Sequence, residues 1–213
     1  FTVREGEDAC ERAKELGYPV IVKPVHLGSS IGIRVAETQA DLLEALGLSF
    51  VLDDCALVEA YLHGKRDINC AAYKRGNETV LSSCEEVFSG GEILSFSDKY
   101  EGTGARQSVI PAELPEELAE EIRNYTKLIY ESFDARGVVR ADFLVADGKA
   151  YFNELNTVPG SLASYLFGGS LTEARDFIIG LIEEAQPPLE RTVLKSGILD
   201  SGVFAGAKAC KTR

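Results

Sequence analysis

The sequence contains no methionine and no tryptophan, and only two histidines, His26 and His63, in 213 residues. Neither histidine has a second histidine or a cysteine at ligand spacing, so neither is assigned metal or catalytic chemistry. With Phe1 at the start and no methionine anywhere, the first residue cannot be an unprocessed translation start. The chain is therefore expected to be a piece of a longer protein. The five cysteines (Cys10, Cys55, Cys70, Cys84, Cys210) are odd in number, far apart and without a CxxC spacing, which excludes a disulfide framework and a zinc site. No run approaches the roughly 18 apolar residues of a membrane span, and no basic segment precedes an apolar signal core. A cytoplasmic location, with no membrane partner, is expected. Basic residues are few, 22 Lys and Arg against 34 Asp and Glu, and the net charge of -12 with no basic run excludes a nucleic-acid backbone as partner.

What is present is enough for a packed core: 45% hydrophobic residues and 26% charged ones, a globular balance. Residues 5 to 16 read as a short amphipathic helix stopped by Gly17. A buried strand follows in the run Tyr18 to Pro24, ending at Lys23, then a small-residue loop at 26 to 32 and a short strand at 33 to 36. Thr38 or a nearby residue opens a helix to about residue 46. Strands are expected at 56 to 61, 67 to 74 and 79 to 88, the last two joined through Arg75-Gly76-Asn77. Residues 89 to 108 lack periodicity and are expected to form a functional loop, mobile without ligand. Leu114 to Phe133 carries the clearest helical periodicity. Strands at 138 to 146 and 149 to 155 should pair through Asp147-Gly148, a strong hairpin signal. A Gly/Pro/Ser loop, a helix near 171 to 185 and a polar tail complete the chain.

The late hairpin carries the first constellation. Side chains two apart on a strand share a face, so Arg140 and Asp142 point together in VVRADFLV, as do Glu154 and Asn156 in YFNELN, and the hairpin is expected to bring these two faces together. Two carboxylates and an amide oxygen form a hard, oxygen-only set that suits magnesium, and Arg140 beside them suits a transferring phosphoryl group. A solvated strand face with a surface ion pair accounts for the same spacing. The second constellation is Lys23 ahead of Gly28-Ser29-Ser30-Ile31-Gly32, a loop whose backbone N–H groups suit phosphate oxygens, though its order is not that of a Walker A motif. A plain turn is the alternative. The third, Asp98-Lys99-Tyr100 in the long loop, could close over a nucleotide or be a solvated tip. Glu59 at a strand end could accept from an adenine amino group or stand exposed.

Taken in order, VIVKP, GSSIG, VEAYL, DKY, VVRADF and NELNTVPGS resemble the ATP-grasp ligases, and within them the D-alanine–D-alanine ligase family, over roughly residues 18 to 168. The resemblance implies an α+β fold of two α/β lobes with mainly antiparallel sheets gripping a nucleotide. Residues 1–60 would be an incomplete central lobe and 61–213 the carboxy-terminal lobe carrying the magnesium site, with the amino-terminal domain absent. It implies ATP and two magnesium ions, or manganese, as cofactors. Lys23 would contact ATP phosphates; Glu59, Ala60 and Leu62 would line the adenine pocket and Asp67 would hold the ribose. Asp142, Glu154 and Asn156 would hold the metals. Ser29 and Tyr100 would serve the amino-acid substrate, Lys99 the terminal phosphate, and Arg140 with the backbone of Gly160 the developing charge. The activity implied is the joining of two D-alanines through an acylphosphate, for peptidoglycan precursors, in a full-length form that could be a homodimer.

Two departures qualify these expectations. The family commonly has a Ser-Leu pair for the second substrate's carboxylate, where this chain has Tyr165-Leu166. That leaves another acceptor such as D-serine open. The family also draws a glutamate and a further lysine from segments that precede this sequence, so the chain alone is expected to be inactive, and a magnesium-nucleotide binding module is the remaining alternative.

Overall fold

The computed structural model describes residues 1–88 and 107–185. Two antiparallel sheets organise them. The first has four strands in the order β1 (Thr2–Arg4), β4 (Cys55–Ala60), β2 (Val20–Pro24), β3 (Arg34–Ala36). Helices α1 (Cys10–Leu16) and α2 (Gln39–Leu52) share its core, in which Val20, Val22, Ala56 and Val58 meet Ala13, Leu42 and Ala45. The helix expected over residues 5 to 16 begins only at Cys10, after a turn in which Gly6 has φ 87, and it is preceded at residues 2–4 by a strand that the periodicity did not signal: Val3 is buried and its strand pairs with β4. Helix α2 begins as expected, with Thr38 accepting from the Asp41 N–H at 3.2 Å and Asp41 accepting from the Thr38 N–H at 2.9 Å. It runs past the expected end because Gly47 sits in open space and Ser49, beyond it, is buried in the helix's contact face.

The second sheet runs β10 (Lys149–Asn156), β9 (Val139–Ala146), β5 (Arg66–Arg75), β7 (Glu85–Phe88), β8 (Gln107–Val109), with β6 (Glu78–Leu81) also on β5. The expected single strand at 79 to 88 is two strands. Both pair with β5, β6 with Ala72 to Arg75 and β7 with Asp67 to Asn69, and the chain leaves the ladder between them. There the Ser82 hydroxyl accepts from the Ala71 N–H at 2.8 Å, which satisfies a buried donor that the break would otherwise orphan. Residues 107 and 108, expected in the long loop, belong to β8.

Helix α3 (Glu116–Ser132) covers one face of this sheet, burying Leu118 and Ile122 against Ile68, Cys70, Ala141 and Phe143. The other face is covered in part by a 3-10 segment (Gly160–Leu166) and α4 (Leu171–Ala185), through a core of Ala71, Tyr73, Ala163, Leu166 and Phe177. Ser161, Leu162 and Ala163 sit in the left-handed region at φ 52, 53 and 49. That costs of order 1 kcal/mol each for non-glycine residues, and it is offset by the complete burial of Ala163 and Leu166. The four described cysteines, Cys10, Cys55, Cys70 and Cys84, are free thiols. Among the described residues no helix is long and apolar enough to cross a membrane.

Candidate active site

The uncovered part of the second sheet carries a row of polar side chains across four strands. Glu154 of β10 stands opposite Asp142 of β9, Asp142 opposite Asn69 of β5, and Asn69 opposite Glu85 of β7. Arg140 lies one pleat along from Asp142 on the same face, opposite Asn156. Its Nε and Nη2 donate to the two Asp142 oxygens, both at 2.7 Å. Asn156 Nδ2 donates to Asp142 Oδ2 at 2.9 Å and to Glu154 Oε1 at 3.4 Å. All four residues paired from the sequence are thus brought together. Burial alone would lower the Arg140 pKa, but the Asp142 carboxylate and Tyr165 more than offset it, so the guanidinium is held firmly charged.

The pairing depends on a β-bulge that the sequence reading did not anticipate. The Asp147-Gly148 turn, with φ of 50 and 71, starts the hairpin with Ala146 opposite Lys149. A regular ladder from that turn would put Leu155 opposite Arg140 and Glu154 opposite Ala141, on the face packed against α3. The register instead shifts between Phe152 and Glu154, so that Asn153 is an extra residue and Glu154 meets Asp142. One inserted residue therefore moves a carboxylate and an amide from the core face to the polar face.

Lys23 reaches this region from the first sheet. It alternates with the buried Val22 and Pro24, so its side chain leaves the far side of the sheet from α2. Its Nζ lies 2.6 Å from Glu59 Oε2 and donates to Asn153 Oδ1 at 3.0 Å. Glu59 and Lys23 are thus neighbours across β4 and β2, with Ala60 ending β4 and Leu62 just beyond it, half-buried. Asp67 lies one pleat from Asn69 on the polar face, where it receives two hydrogen bonds from Lys65 Nζ, at 2.9 and 2.8 Å. In the loop after β2, Ser29 and Ser30 have φ of 56 and 60. Gly32 is needed there: its φ is 76, and a Cβ would come within 2.8 Å of both Leu52 and Pro24.

Tyr165 and Leu166 separate. Leu166 is buried in the core against Phe177, so it is not presented to the polar face. The Tyr165 hydroxyl donates to Glu85 Oε2 at 3.1 Å. Glu85 is 2% exposed and also accepts from Asn69 Nδ2 at 3.0 Å. Sequence reasoning missed Glu85, Asn69 and Asn153; a charged residue in the expected strand at 79 to 88 was the available signal for the first. Gly160 opens the 3-10 segment on an exposed backbone. Asp98, Lys99 and Tyr100, and the loop mobility expected around them, lie outside the described residues.

His26, assigned no chemistry, has a carboxylate partner that its sequence spacing concealed. Its Nδ1 lies 2.8 Å from Asp53 Oδ1, and its backbone N–H donates to Asp53 Oδ2 at 2.6 Å, while Asp54 Oδ1 is 3.8 Å from the ring nitrogen. The hydrogen bond to Asp53 raises the His26 pKa, and the hydrogen bonds from His26 hold the Asp53 carboxyl well below the ordinary carboxylate range.

The sequence profile described as D-ala D-ala ligase C-terminus matches residues 2–174. A D-alanine–D-alanine ligase of a Nitratiruptor species is 43% identical over 151 residues, which are 71% of this chain and 44% of that protein. Among solved structures, the D-alanine–D-alanine ligase of Helicobacter pylori superposes with a TM-score of 0.63 at 26% identity, covering 87% of this chain and 52% of that one. VanG, a D-Ala:D-Ser ligase of Enterococcus faecalis, does so with a TM-score of 0.66 at 27% identity, covering 84% and 55%. The chain spans about half the length of these relatives or less. With the ordered motifs, the two-sheet architecture and the profile match in agreement, the chain belongs to the D-alanine–D-alanine ligase family, in the part of it described as the ligase C-terminus.

Proposed function

We propose that this chain supplies the magnesium-nucleotide site of an ATP-dependent ligase that joins two D-alanines, in the service of peptidoglycan synthesis. The observation that carries the reading is the polar row of Asp142, Glu154 and Asn156 with Arg140 on one sheet face, approached by Lys23 from the other sheet. The donor set fits magnesium: two carboxylates and an amide oxygen on neighbouring strands, in a place where a fully solvated face would not require the bulge. Asp142, Glu154 and Asn156 would hold two ions. Bound there, magnesium would neutralise phosphate oxygens.

In this reading residues 1–60 form a central lobe and the residues after them a carboxy-terminal lobe, with the nucleotide between. Lys23 contacts the phosphates, Glu59, Ala60 and Leu62 line the adenine pocket, and Asp67 holds the ribose. Arg140, with the Gly160 backbone, stabilises the phosphoryl group as the carboxylate of the first D-alanine attacks it. Lys99 and Tyr100 join from the long loop, and Ser29 orients the first D-alanine. The amine of the second then displaces phosphate from the acylphosphate. Since the relatives are about twice as long as the stretch this chain spans, ligation draws on further groups, and the chain alone binds MgATP without forming dipeptide.

Calorimetric titration with MgATP tests the nucleotide half of the reading, with binding expected for the wild-type chain and its loss for Asp142→Ala. Equal affinity in the two would remove Asp142 from the site. Phosphate release by the ligase in its complete form should depend on D-alanine. One observation favours a second acceptor: the Tyr165 hydroxyl, at the place of the family's serine, donates to Glu85. Faster release with D-serine than with D-alanine as acceptor would establish that alternative.

A further inference from the structure

Asn153 is the extra residue of the β10 bulge, and nothing in its strand pairing explains why it is an asparagine. Its side chain leaves the second sheet and accepts from Lys23 Nζ at 3.0 Å, a hydrogen bond between residues 130 apart in the chain. The same ammonium also meets Glu59 Oε2 at 2.6 Å. The lysine side chain is 20% exposed, so its charge is largely withdrawn from water and its position is set by these two acceptors. An ammonium has three donors. Glu59 and Asn153 take two of them from opposite sheets, which fixes the direction of the third. The chemistry of the pair is also informative. Glu59 supplies one negative charge; a second carboxylate in place of Asn153 would leave the ammonium overcompensated and unattractive to phosphate. A neutral amide orients the cation without cancelling it.

We infer that Asn153 is a positioning residue for Lys23, holding its ammonium across the gap between the sheets in the direction from which nucleotide phosphate approaches. The inference rests on the reading of Lys23 as a phosphate contact. The bulge then has two consequences from one inserted residue: it turns Glu154 and Asn156 toward Asp142, and it sends an amide to the lysine. Pre-organisation of this kind acts on affinity by removing the cost of ordering a flexible side chain on binding.

The test is calorimetric titration of the chain with MgATP and with adenosine, for wild type, Asn153→Ala, Asn153→Asp and Lys23→Gln, and for Asn153→Ala in the Lys23→Gln background. Asn153→Ala is expected to weaken MgATP about three- to tenfold and to leave adenosine unchanged. Asn153→Asp, which keeps the size and the hydrogen bond, is expected to weaken MgATP at least as much by adding charge. In the Lys23→Gln background the Asn153→Ala change should have no further effect. Equal weakening of both ligands, or additivity with Lys23→Gln, would mark a merely structural role and overturn the inference. A ligand-free readout separates it from the nucleotide reading. The ¹⁵N resonance of the Lys23 ammonium should be protected from exchange in wild type and lost in Asn153→Ala. Absence of MgATP binding by the wild type would end the nucleotide reading, while persistence of the protected ammonium in Asn153→Ala would end the positioning role.

Discussion

Removing the carboxylate of Asp142 should be far more damaging than removing its whole ion pair. Arg140 and Asp142 are joined by two hydrogen bonds of 2.7 Å, and their side chains are 11% and 15% exposed. Asp142→Leu leaves the guanidinium buried without its bidentate partner, and Tyr165 and water can replace only part of what is lost. Breaking a buried pair from one side costs about 3 to 5 kcal/mol, and the residual exposure places this one near the lower end, about 3 kcal/mol. With a urea dependence of about 3 kcal/mol per molar for a chain of this size, the unfolding midpoint should fall by about 1 M. The double change Arg140→Met with Asp142→Leu removes both desolvation penalties and should cost less than about 1 kcal/mol, even though it destroys the proposed metal and phosphate contacts. Urea denaturation of the three proteins at neutral pH checks this. A double variant as unstable as the single, or a single variant within about 1 kcal/mol of wild type, would refute the argument that the pair is a cost to the fold kept for its chemistry.

Phe177→Ala should destabilise by about 3 to 5 kcal/mol, because the ring is 1% exposed and packs at 5.0 Å from Tyr73 and 5.1 Å from Phe167; thermal unfolding within a degree of wild type would contradict it. Glu85→Leu leaves the buried Asn69 amide without its acceptor and should cost about 1 to 3 kcal/mol, whereas Tyr165→Phe, which removes one donor from a carboxylate still bonded to Asn69, should cost less; the reverse order in chemical denaturation would show that Glu85 is not held by Asn69. The His26–Asp53 pair should make stability depend on pH. The His26 pKa is raised on folding, so its contribution is complete below about pH 6.5 and fades as pH rises through the raised value. The Asp53 pKa is depressed, so its contribution is present above about pH 3.9 and fades as pH falls toward the depressed value. The stability difference between wild type and His26→Ala should therefore be larger at about pH 5.5 than at about pH 8.5, and an unchanged difference would exclude the ion pair as its source.

Much of the framework was legible in the residues because the signals were local. Asp147-Gly148 marks a hairpin since both residues accept positive φ, a capping residue at or near Thr38 marks a helix start, and the periodicity of 114 to 133 marks a helix that the structure places at Glu116–Ser132. The ordered motifs likewise carried the family, and strand alternation placed Arg140 beside Asp142. What the sequence could not decide depends on contacts between distant segments. The strand at 2–4 exists because β4 is there to pair with it, and the break at 82–84 exists because Ser82 can satisfy Ala71. Alternation through YFNELN identifies Glu154 and Asn156 as companions of each other but not of Asp142. From the turn alone they fall on the core face. Only the tertiary structure, in which an inserted Asn153 shifts the register and spends its amide on a lysine 130 residues away, turns them to the face where Arg140 and Asp142 wait. A bulge is invisible to a period of two, and its energy comes from a partner that the neighbouring sequence does not contain.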